Sequence, residues 1–166
     1  MEQTDDLHMF KDSFNGWVFC GGMFRSASTL QFLIACDIVE FAKVGIRARD
    51  EIDSFVCAKK KYNHHKGYKI YKTHFLSREI EELINEETSK VIYIYRDIRD
   101  VLSSYMQETK ISLKDLFKSG WAEAAIDHFY RWTSCPNALV MRYEKDARDV
   151  EGMVKKIANY LCVDLS

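Results

Sequence analysis

The chain has 166 residues, which is long enough for one domain with a sizeable core and too short for two independent domains. Hydrophobic residues make up 47% of the chain, and its formal net charge is −1. This balance favours a globular protein and does not favour binding to nucleic acid or to an anionic membrane. The sequence contains no run of about 18 apolar residues, which predicts that no helix spans a bilayer.

The cysteines and the N-terminus bear on the cellular compartment. The five cysteines are an odd number without zinc-type spacing, and Cys20, Cys36 and Cys162 lie in apolar runs, which favours reduced thiols. Residues 1–15 are polar and acidic, and they lack the basic segment followed by an apolar one that marks a signal peptide. We therefore expect a single domain over residues 1–166, with an exposed lead-in at 1–15, in the cytoplasm.

The first apolar segment is typical of a strand, a turn and a helix in succession. Residues 17–20 (Trp-Val-Phe-Cys) predict a short strand, residues 21–28 a loop of small residues, and the residues after them a strongly apolar helix. Such a turn directs backbone N–H groups and a helix N-terminus at one point, which suits an anion such as phosphate. A strand–turn–helix unit without a ligand is the alternative for this segment alone.

The same segment departs from the P-loop pattern G-x-x-x-x-G-K-[ST]. The spacing from Gly22 to Thr29 is kept, but Ala27 replaces the second glycine and Ser28 replaces the lysine that reaches the outer phosphates of a nucleotide. Arg25 lies inside the loop instead. Because the loop lysine is missing, a P-loop kinase or nucleoside triphosphatase is a weaker hypothesis for this chain.

Beyond the loop, the hydrophobic pattern alternates between helices and strands. The helix after the loop is apolar on nearly every side and stops at Gly45, and residues 91–95 (Val-Ile-Tyr-Ile-Tyr) are typical of a buried parallel strand. The other predicted elements are a short helix at 46–53, a basic surface loop at 59–67, a strand at 68–71, a helix at 77–88 with Ser77 as N-cap, a turn and helix at 96–105, a helix at 112–134 ended by Pro136, a strand at 138–142 and a helix at 149–162. The alternation predicts a three-layer α/β/α domain with a central parallel sheet.

Polar side chains follow several of the predicted strands at the point where each strand ends. Ligands of such sheets bind outside the carboxyl ends of the strands. Taken singly, Arg96 could form a surface ion pair and His74 could be a structural histidine. Taken together, the polar residues predict a pocket for a ligand with more than one anionic group. They are Arg25 and Ser26, then Lys72 and His74, then Arg96, and finally Tyr143 and Glu144.

Four segments resemble motifs of the sulfotransferases that use 3′-phosphoadenosine 5′-phosphosulfate (PAPS). Residues 24–30 (Phe-Arg-Ser-Ala-Ser-Thr-Leu) resemble the family's 5′-phosphosulfate loop, and residues 95–105 resemble its 3′-phosphate motif, Arg-x-Pro-Lys/Arg-Asp-Val-x-x-Ser. Residues 72–74 (Lys-Thr-His) are similar to a motif of the cytosolic branch, and residues 139–144 are similar to a strand that ends in Tyr-Glu-Asp. The motifs occur in the family's order, and the resemblance implies the P-loop NTPase-like architecture of sulfotransferases.

The resemblance implies catalytic roles for Arg25, Lys72 and His74. Sulfuryl transfer moves an SO₃ unit in line from a phosphate leaving group to an acceptor oxygen or nitrogen. Arg25 would stabilise the charge that develops on the leaving phosphate, and Lys72 would help to bind the transferring group. His74 would take the proton of the acceptor hydroxyl, because a neutral imidazole is suited to that task near pH 7.

The resemblance also implies a binding site for PAPS without a metal ion, since the transferring group carries less charge than a phosphoryl group. A forked guanidinium suits the dianionic 3′-phosphate. The implied ligands of the 5′-phosphosulfate are Arg25, Ser26, Ala27, Ser28 and Thr29; those of the 3′-phosphate are Arg96 and Ser104, with Tyr143 beside the adenine. The acceptor would be a small molecule or a glycan with a hydroxyl group, and the sequence carries no signal of an oligomeric state.

Several residues depart from the family pattern. Ala27 stands where the family has glycine, so a left-handed loop conformation would be strained there. Leu30 and Ile98 replace a tryptophan and a proline, and these 166 residues lack the family's Arg-Lys-Gly segment. The arginine in the loop is typical of branches whose base is often a carboxylate, which leaves a carboxylate as the alternative to His74. A non-catalytic nucleotide-binding relative on the same fold is the alternative function.

Overall fold

A computed structural model describes residues 14–48 and 54–165 of the chain. Within these residues, no helix combines the length and the apolar character that crossing a membrane requires. The described elements, in chain order, are β1 (Gly16–Gly22), α1 (Ser28–Phe41), β2 (Gly45–Arg47), α2 (Phe55–Tyr62), β3 (Tyr68–Lys72), α3 (Arg78–Asn85), β4 (Ser89–Tyr95), α4 (Ile98–Thr109), α5 (Leu113–Lys118), α6 (Trp121–Thr133), β5 (Leu139–Arg142), α7 (Tyr143–Asp146) and α8 (Val150–Leu161).

The strands form one parallel sheet in the order β2-β3-β1-β4-β5. The central strand β1 pairs with β3 on one side and β4 on the other, so that Phe19 lies beside both Tyr71 and Val91. Because all five strands run the same way, their carboxyl ends meet at one edge of the sheet. The predicted three-layer α/β/α architecture with a central parallel sheet is confirmed.

The two faces of the sheet are packed with different side chains. Val18 and Cys20 of β1 face a mainly aliphatic cluster formed with α1 and α8. Trp17 and Phe19 face the other way, into a cluster rich in aromatic rings that also includes α2, α3 and Trp132 of α6. Burial on both faces explains why β1 is an unbroken apolar run and not an alternating pattern.

Three sequence predictions are wrong in detail. Residues 46 and 47 lie in the edge strand β2, where Ile46 pairs with Lys69, and not in a helix; residues 49–53 lie outside the described residues. The basic segment begins inside α2, because Phe55 and Ala58 bury one side of a helical turn while the lysines face outward. The helix predicted at 112–134 is divided into α5 and α6 by Gly120, whose φ of +70° ends one helix and begins the next.

The other boundaries differ from the predictions by a few residues. Ser77 precedes α3 as the predicted N-cap, although its hydroxyl makes no capping hydrogen bond. Residues 1–13 of the predicted lead-in lie outside the described residues. The two described lead-in residues contact β3: the ring of Phe14 stacks on Tyr68 at 5.0 Å, and Asn15 Oδ1 accepts a hydrogen bond from Lys69 Nζ at 3.0 Å. Position 14 is therefore partly buried, whereas the sequence analysis predicted that it would be exposed.

Candidate active site

A cleft of about 510 Å³ opens at the carboxyl edge of the sheet, between the β1–α1 loop, the ends of β3 and β4, and α4. We call it the cationic cleft, because Arg25, Lys72 and Arg96 lie along its walls. The predicted site residues that line it are Arg25, Ala27, Ser28, Thr29, Lys72, His74, Arg96, Ser104 and Tyr143. Phe24, Tyr105 and Glu108 also line it, and the sequence did not single them out.

The β1–α1 loop brings backbone and helix dipole to the cleft. Arg25 and Ala27 both have a left-handed backbone, with φ of 62° and 65°. Ala27 thus takes the conformation that was expected to be strained for a residue other than glycine. Helix α1 begins directly after it at Ser28, so that its first N–H groups and the positive end of its dipole lie beside the cleft.

The side chain of Ser26, a predicted site residue, faces away from the cleft. It is buried, and its hydroxyl lies 2.6 Å from the carbonyl oxygen of Met23 and 3.0 Å from that of Ile94. A hydroxyl has one proton to donate, and these two carbonyl oxygens already accept it. The side chain of Ser26 therefore ties the loop to β4.

Arg25 reaches across the cleft to α4. Its Nε donates to Ser104 Oγ at 3.1 Å, and its Nη1 lies 3.2 Å from Glu108 Oε2. Arg25 and Ser104 are thus in direct contact, although the family resemblance implied that they bind different phosphates. On the opposite side, Lys72 Nζ donates to Thr29 Oγ1 at 2.9 Å, which joins the end of β3 to the first turn of α1.

Arg96 lies where β4 ends, between the loop and α7. Its Nη1 donates to the carbonyl oxygen of Arg25 at 3.3 Å, and its guanidinium lies 4.4 Å from the centre of the Tyr143 ring. Only 22% of its side chain is exposed, and its Nε is buried with no hydrogen-bond partner among the described residues. An unmatched donor in a lined cleft fits a site for an anionic ligand.

Carboxylates fix the turn that carries Arg96. Glu144 accepts a hydrogen bond from the backbone N–H of Asp97 at 2.9 Å. Burial acts to raise the pKa of Glu144, but the hydrogen bonds from the backbone N–H groups of Asp97 and Glu144 and from the Arg142 side chain outweigh it and lower the pKa. Hydrogen bonds from the side chain and backbone of Arg99 lower the pKa of Asp97, which caps α4. The turn is therefore held by ionised groups.

His74 has a defined orientation. Its Nδ1 lies 2.8 Å from the carbonyl oxygen of Gly22. A carbonyl oxygen can only accept, so Nδ1 carries the proton and Nε2 of the neutral ring does not. The ring also stacks on Phe24, with centroids 4.5 Å apart and an interplanar angle of 19°. An imidazole held in this tautomer can accept a proton at Nε2.

A second cavity, of about 270 Å³, lies on the other side of His74 and Phe24. We call it the apolar pocket, because most of the described residues that line it have aromatic or aliphatic side chains. Its remaining walls are Gly22, Met23, Phe75, Trp121, Ala124, Ala125 and His128. The ring of Phe117 does not line this pocket and lies in a separate groove formed by α4 and α5.

Glu108 and most residues of the apolar pocket were not predicted from the sequence. Glu108 follows Ser104 by one helical turn, and that spacing alone could have placed it at the cleft. No motif could have identified His128 or Phe75, because their place depends on how α6 packs against the end of β3. Among residues 14–48 and 54–165, no group of three or more histidine, cysteine or acidic side chains is arranged to hold a metal ion.

Comparison with known proteins gives both a sequence relative and structural neighbours. Cytosolic sulfotransferase 4 of Arabidopsis thaliana is 27% identical over 94 residues, which are 56% of this chain and 33% of that protein. A mouse sulfotransferase, SULT7A1, solved with PAP, superposes with a TM-score of 0.61 at 16% identity. The match covers 91% of this chain and 60% of the mouse protein.

Retinol dehydratase, solved with androsterone and the inactive cofactor PAP, has a TM-score of 0.58 at 17% identity, over 90% of this chain and 60% of that one. At these identities the two structures establish the fold. The chain spans about one third of the curated relative and about 60% of each solved structure. The model of the sulfotransferase domain matches residues 21–166, which is most of the sequence. The chain therefore belongs to the sulfotransferase domain family.

Proposed function

We propose that the chain transfers a sulfuryl group from PAPS to a hydroxyl or amine group of an acceptor. The observation that carries this proposal is the position of His74, on the wall between the cationic cleft and the apolar pocket, with its Nδ1 2.8 Å from the carbonyl oxygen of Gly22. A group that can accept a proton thus lies between a polyanion site and a site for an apolar molecule. That arrangement suits transfer between two bound substrates.

The reaction assigns tasks to several side chains of the cleft. The bond between sulfur and the 5′-phosphate oxygen breaks, its electron pair stays on the phosphate, and a bond from the acceptor atom to sulfur forms. Nε2 of His74 takes the acceptor proton. Lys72 and Arg25 stabilise the charge that develops during transfer, together with the N–H groups at the start of α1. The proposed ligands of the 5′-phosphosulfate also include Ala27, Ser28 and Thr29, and the proposed role of Ser26 is confined to its backbone N–H.

We propose that the other half of PAPS binds at the end of β4. We assign the 3′-phosphate to Arg96 and Ser104, and the adenine to the neighbourhood of Tyr143. The buried and unpartnered Nε of Arg96 supports this assignment, because a phosphate oxygen would supply the missing acceptor. The ring of Tyr143 already lies against the Arg96 guanidinium, so that the two side chains form one surface.

The apolar pocket bears on the acceptor. Its volume and its aromatic and aliphatic walls favour a small alcohol or phenol with an apolar body over a glycan. Retinol dehydratase, a structural neighbour, has been solved with androsterone and with retinol, which are hydroxyl compounds of this chemical kind. We also propose a cytoplasmic location, which the name of the Arabidopsis relative supports.

A calorimetric titration with 3′,5′-ADP (PAP), ATP and GTP, with and without magnesium, tests which nucleotide the chain binds. We expect binding of 3′,5′-ADP that does not depend on magnesium, followed by sulfation of apolar phenols or alcohols when PAPS is supplied. Binding of ATP or GTP with magnesium in place of 3′,5′-ADP would overturn the proposal in favour of a kinase. Tight binding of 3′,5′-ADP without turnover of PAPS with any apolar or polyhydroxyl acceptor would leave a non-catalytic binding protein.

A further inference from the structure

One carboxylate stands out in the cationic cleft. Arg25, Lys72 and Arg96 suit a ligand with several negative charges, but Glu108 lies in the same wall. A carboxylate offers such a ligand neither a positive charge nor a hydrogen-bond donor. Its presence is unexplained by the proposed contacts to PAPS, none of which needs an acceptor of hydrogen bonds at this point.

The contact that Glu108 makes is with the loop cation itself. Glu108 lies one helical turn after Ser104 on α4, so both side chains face the same direction. Both oxygens of Glu108 are near Nη1 of Arg25, at 3.3 and 3.2 Å, while Nε of Arg25 donates to Ser104. The guanidinium is thus held against α4 by two partners at once.

The backbone of Arg25 is fixed separately from its side chain. Its carbonyl oxygen accepts a hydrogen bond from Arg96, and its φ of 62° gives the turn of the loop. The side chain can therefore change partners without moving the loop. The ion pair with Glu108 leaves about half of each side chain exposed, at 45% and 55%, and pairs of this kind are weak. An anionic ligand can displace such a partner.

We propose that Glu108 is a positioning residue that competes with the anionic groups of the nucleotide for the guanidinium of Arg25. The inference rests on the proposed function, since it needs a nucleotide in the cationic cleft. Glu108 weakens the binding of PAPS and of its product 3′,5′-ADP. Its ion pair with Arg25 forms again when the product leaves. The ion pair thus lowers affinity and favours product release.

The test compares Glu108→Gln with the unchanged chain by calorimetric titration of 3′,5′-ADP. Glutamine keeps the size of the side chain and removes its charge. We expect the Kd to fall about two- to fivefold, which is the range that a weak exposed ion pair corresponds to. The matched control is Glu40→Gln, which neutralises half of a similar glutamate–arginine pair with Arg47 at the other end of α1. It should leave the Kd unchanged.

Repeating the exchange in an Arg25→Ala background separates competition from simple repulsion. If Glu108 acts through Arg25, the gain in affinity disappears there. A gain of the same size in both backgrounds would overturn the proposal, because it would show direct repulsion of the ligand. An unchanged Kd, or a change confined to the KM of a cationic acceptor, would also overturn it and leave the proposed function intact. Failure of the unchanged chain to bind 3′,5′-ADP would remove both.

Discussion

The cationic cleft and the apolar pocket share His74 and Phe24, but they are built in different ways. Most side chains of the cleft lie within a few residues of a strand end or on the first turn of α1. The pocket takes Trp121 and His128 from α6, which is far along the chain and reaches the site only by packing over the sheet. The cleft therefore depends on local chain geometry, and the pocket depends on tertiary packing.

The largest effect is expected at the shared wall. His74→Asn can keep a hydrogen bond to the carbonyl oxygen of Gly22 but cannot accept the acceptor proton. We expect kcat to fall about 10²- to 10⁴-fold, with less than about a twofold change in the Kd of 3′,5′-ADP. Steady-state kinetics and calorimetry measure the two quantities. The control is His64→Asn, at an exposed position, and unchanged turnover in His74→Asn would indicate a carboxylate base.

A second substitution tests the cleft without the pocket. Arg96→Ala removes the guanidinium proposed to bind the 3′-phosphate, and charged hydrogen bonds of this kind correspond to a loss of about 10- to 100-fold in affinity for 3′,5′-ADP. Binding of AMP, which lacks that phosphate, should change little. Arg78→Ala, which removes an exposed arginine of α3 outside the cleft, is the control. An equal loss of affinity for AMP and 3′,5′-ADP would remove Arg96 from the assigned place.

A third substitution tests the pocket without the cleft. Phe75 is 62% exposed, and its ring packs edge-on against His128 with the centroids 5.7 Å apart. Phe75→Ala should raise the KM for an apolar acceptor about two- to tenfold, since an aromatic contact is lost, and should leave the Kd of 3′,5′-ADP unchanged. Phe117→Ala provides a matched control, because this exposed ring lies outside both cavities. Equal effects of the two variants would argue against the pocket as the acceptor site.

The smallest effect concerns stability and distinguishes loop geometry from packing. Ala27 has a left-handed backbone, which costs alanine about 1–2 kcal/mol and glycine much less. Part of that gain is lost to the greater entropy of glycine in the unfolded chain, so Ala27→Gly should raise the free energy of unfolding by about 0.5–1 kcal/mol. Thermal unfolding should show a Tm about 1–4 °C higher. Ala35→Gly, inside α1, should lower the Tm, and a lower Tm for Ala27→Gly as well would contradict the strain.

The layered fold could be predicted because segments with the apolar pattern of a strand alternate along the chain with segments that have the pattern of a helix. The predictions failed where an element is short or its partner is distant. Strand β2 has three residues, and only its pairing with β3 makes it a strand. The break at Gly120 was missed because the apolar pattern continues across it. In both places, tertiary contacts or a single φ angle decide the structure, and periodicity does not record either of them.

The positions of the candidate site residues followed from the motifs, but the directions of their side chains did not. Lys72 is the last residue of β3 and Arg96 directly follows β4, so both residues lie at the cleft. The inward hydroxyl of Ser26 and the pairing of Arg25 with Glu108 depend on rotamers and on neighbours far along the chain. A sequence pattern places a Cα atom near a site, and the packing around it decides what the side chain contacts.

Gly120 allows Trp121 to face both halves of the site. Its indole stacks on Tyr105 of the cleft wall at 4.6 Å and lies 6.1 Å from Phe24, while it also lines the apolar pocket. The other two tryptophans of the chain, Trp17 and Trp132, are buried in the core. Changes in the intrinsic fluorescence of the protein on ligand binding should therefore come mainly from Trp121. One natural fluorophore can report on the nucleotide and the acceptor without any added label.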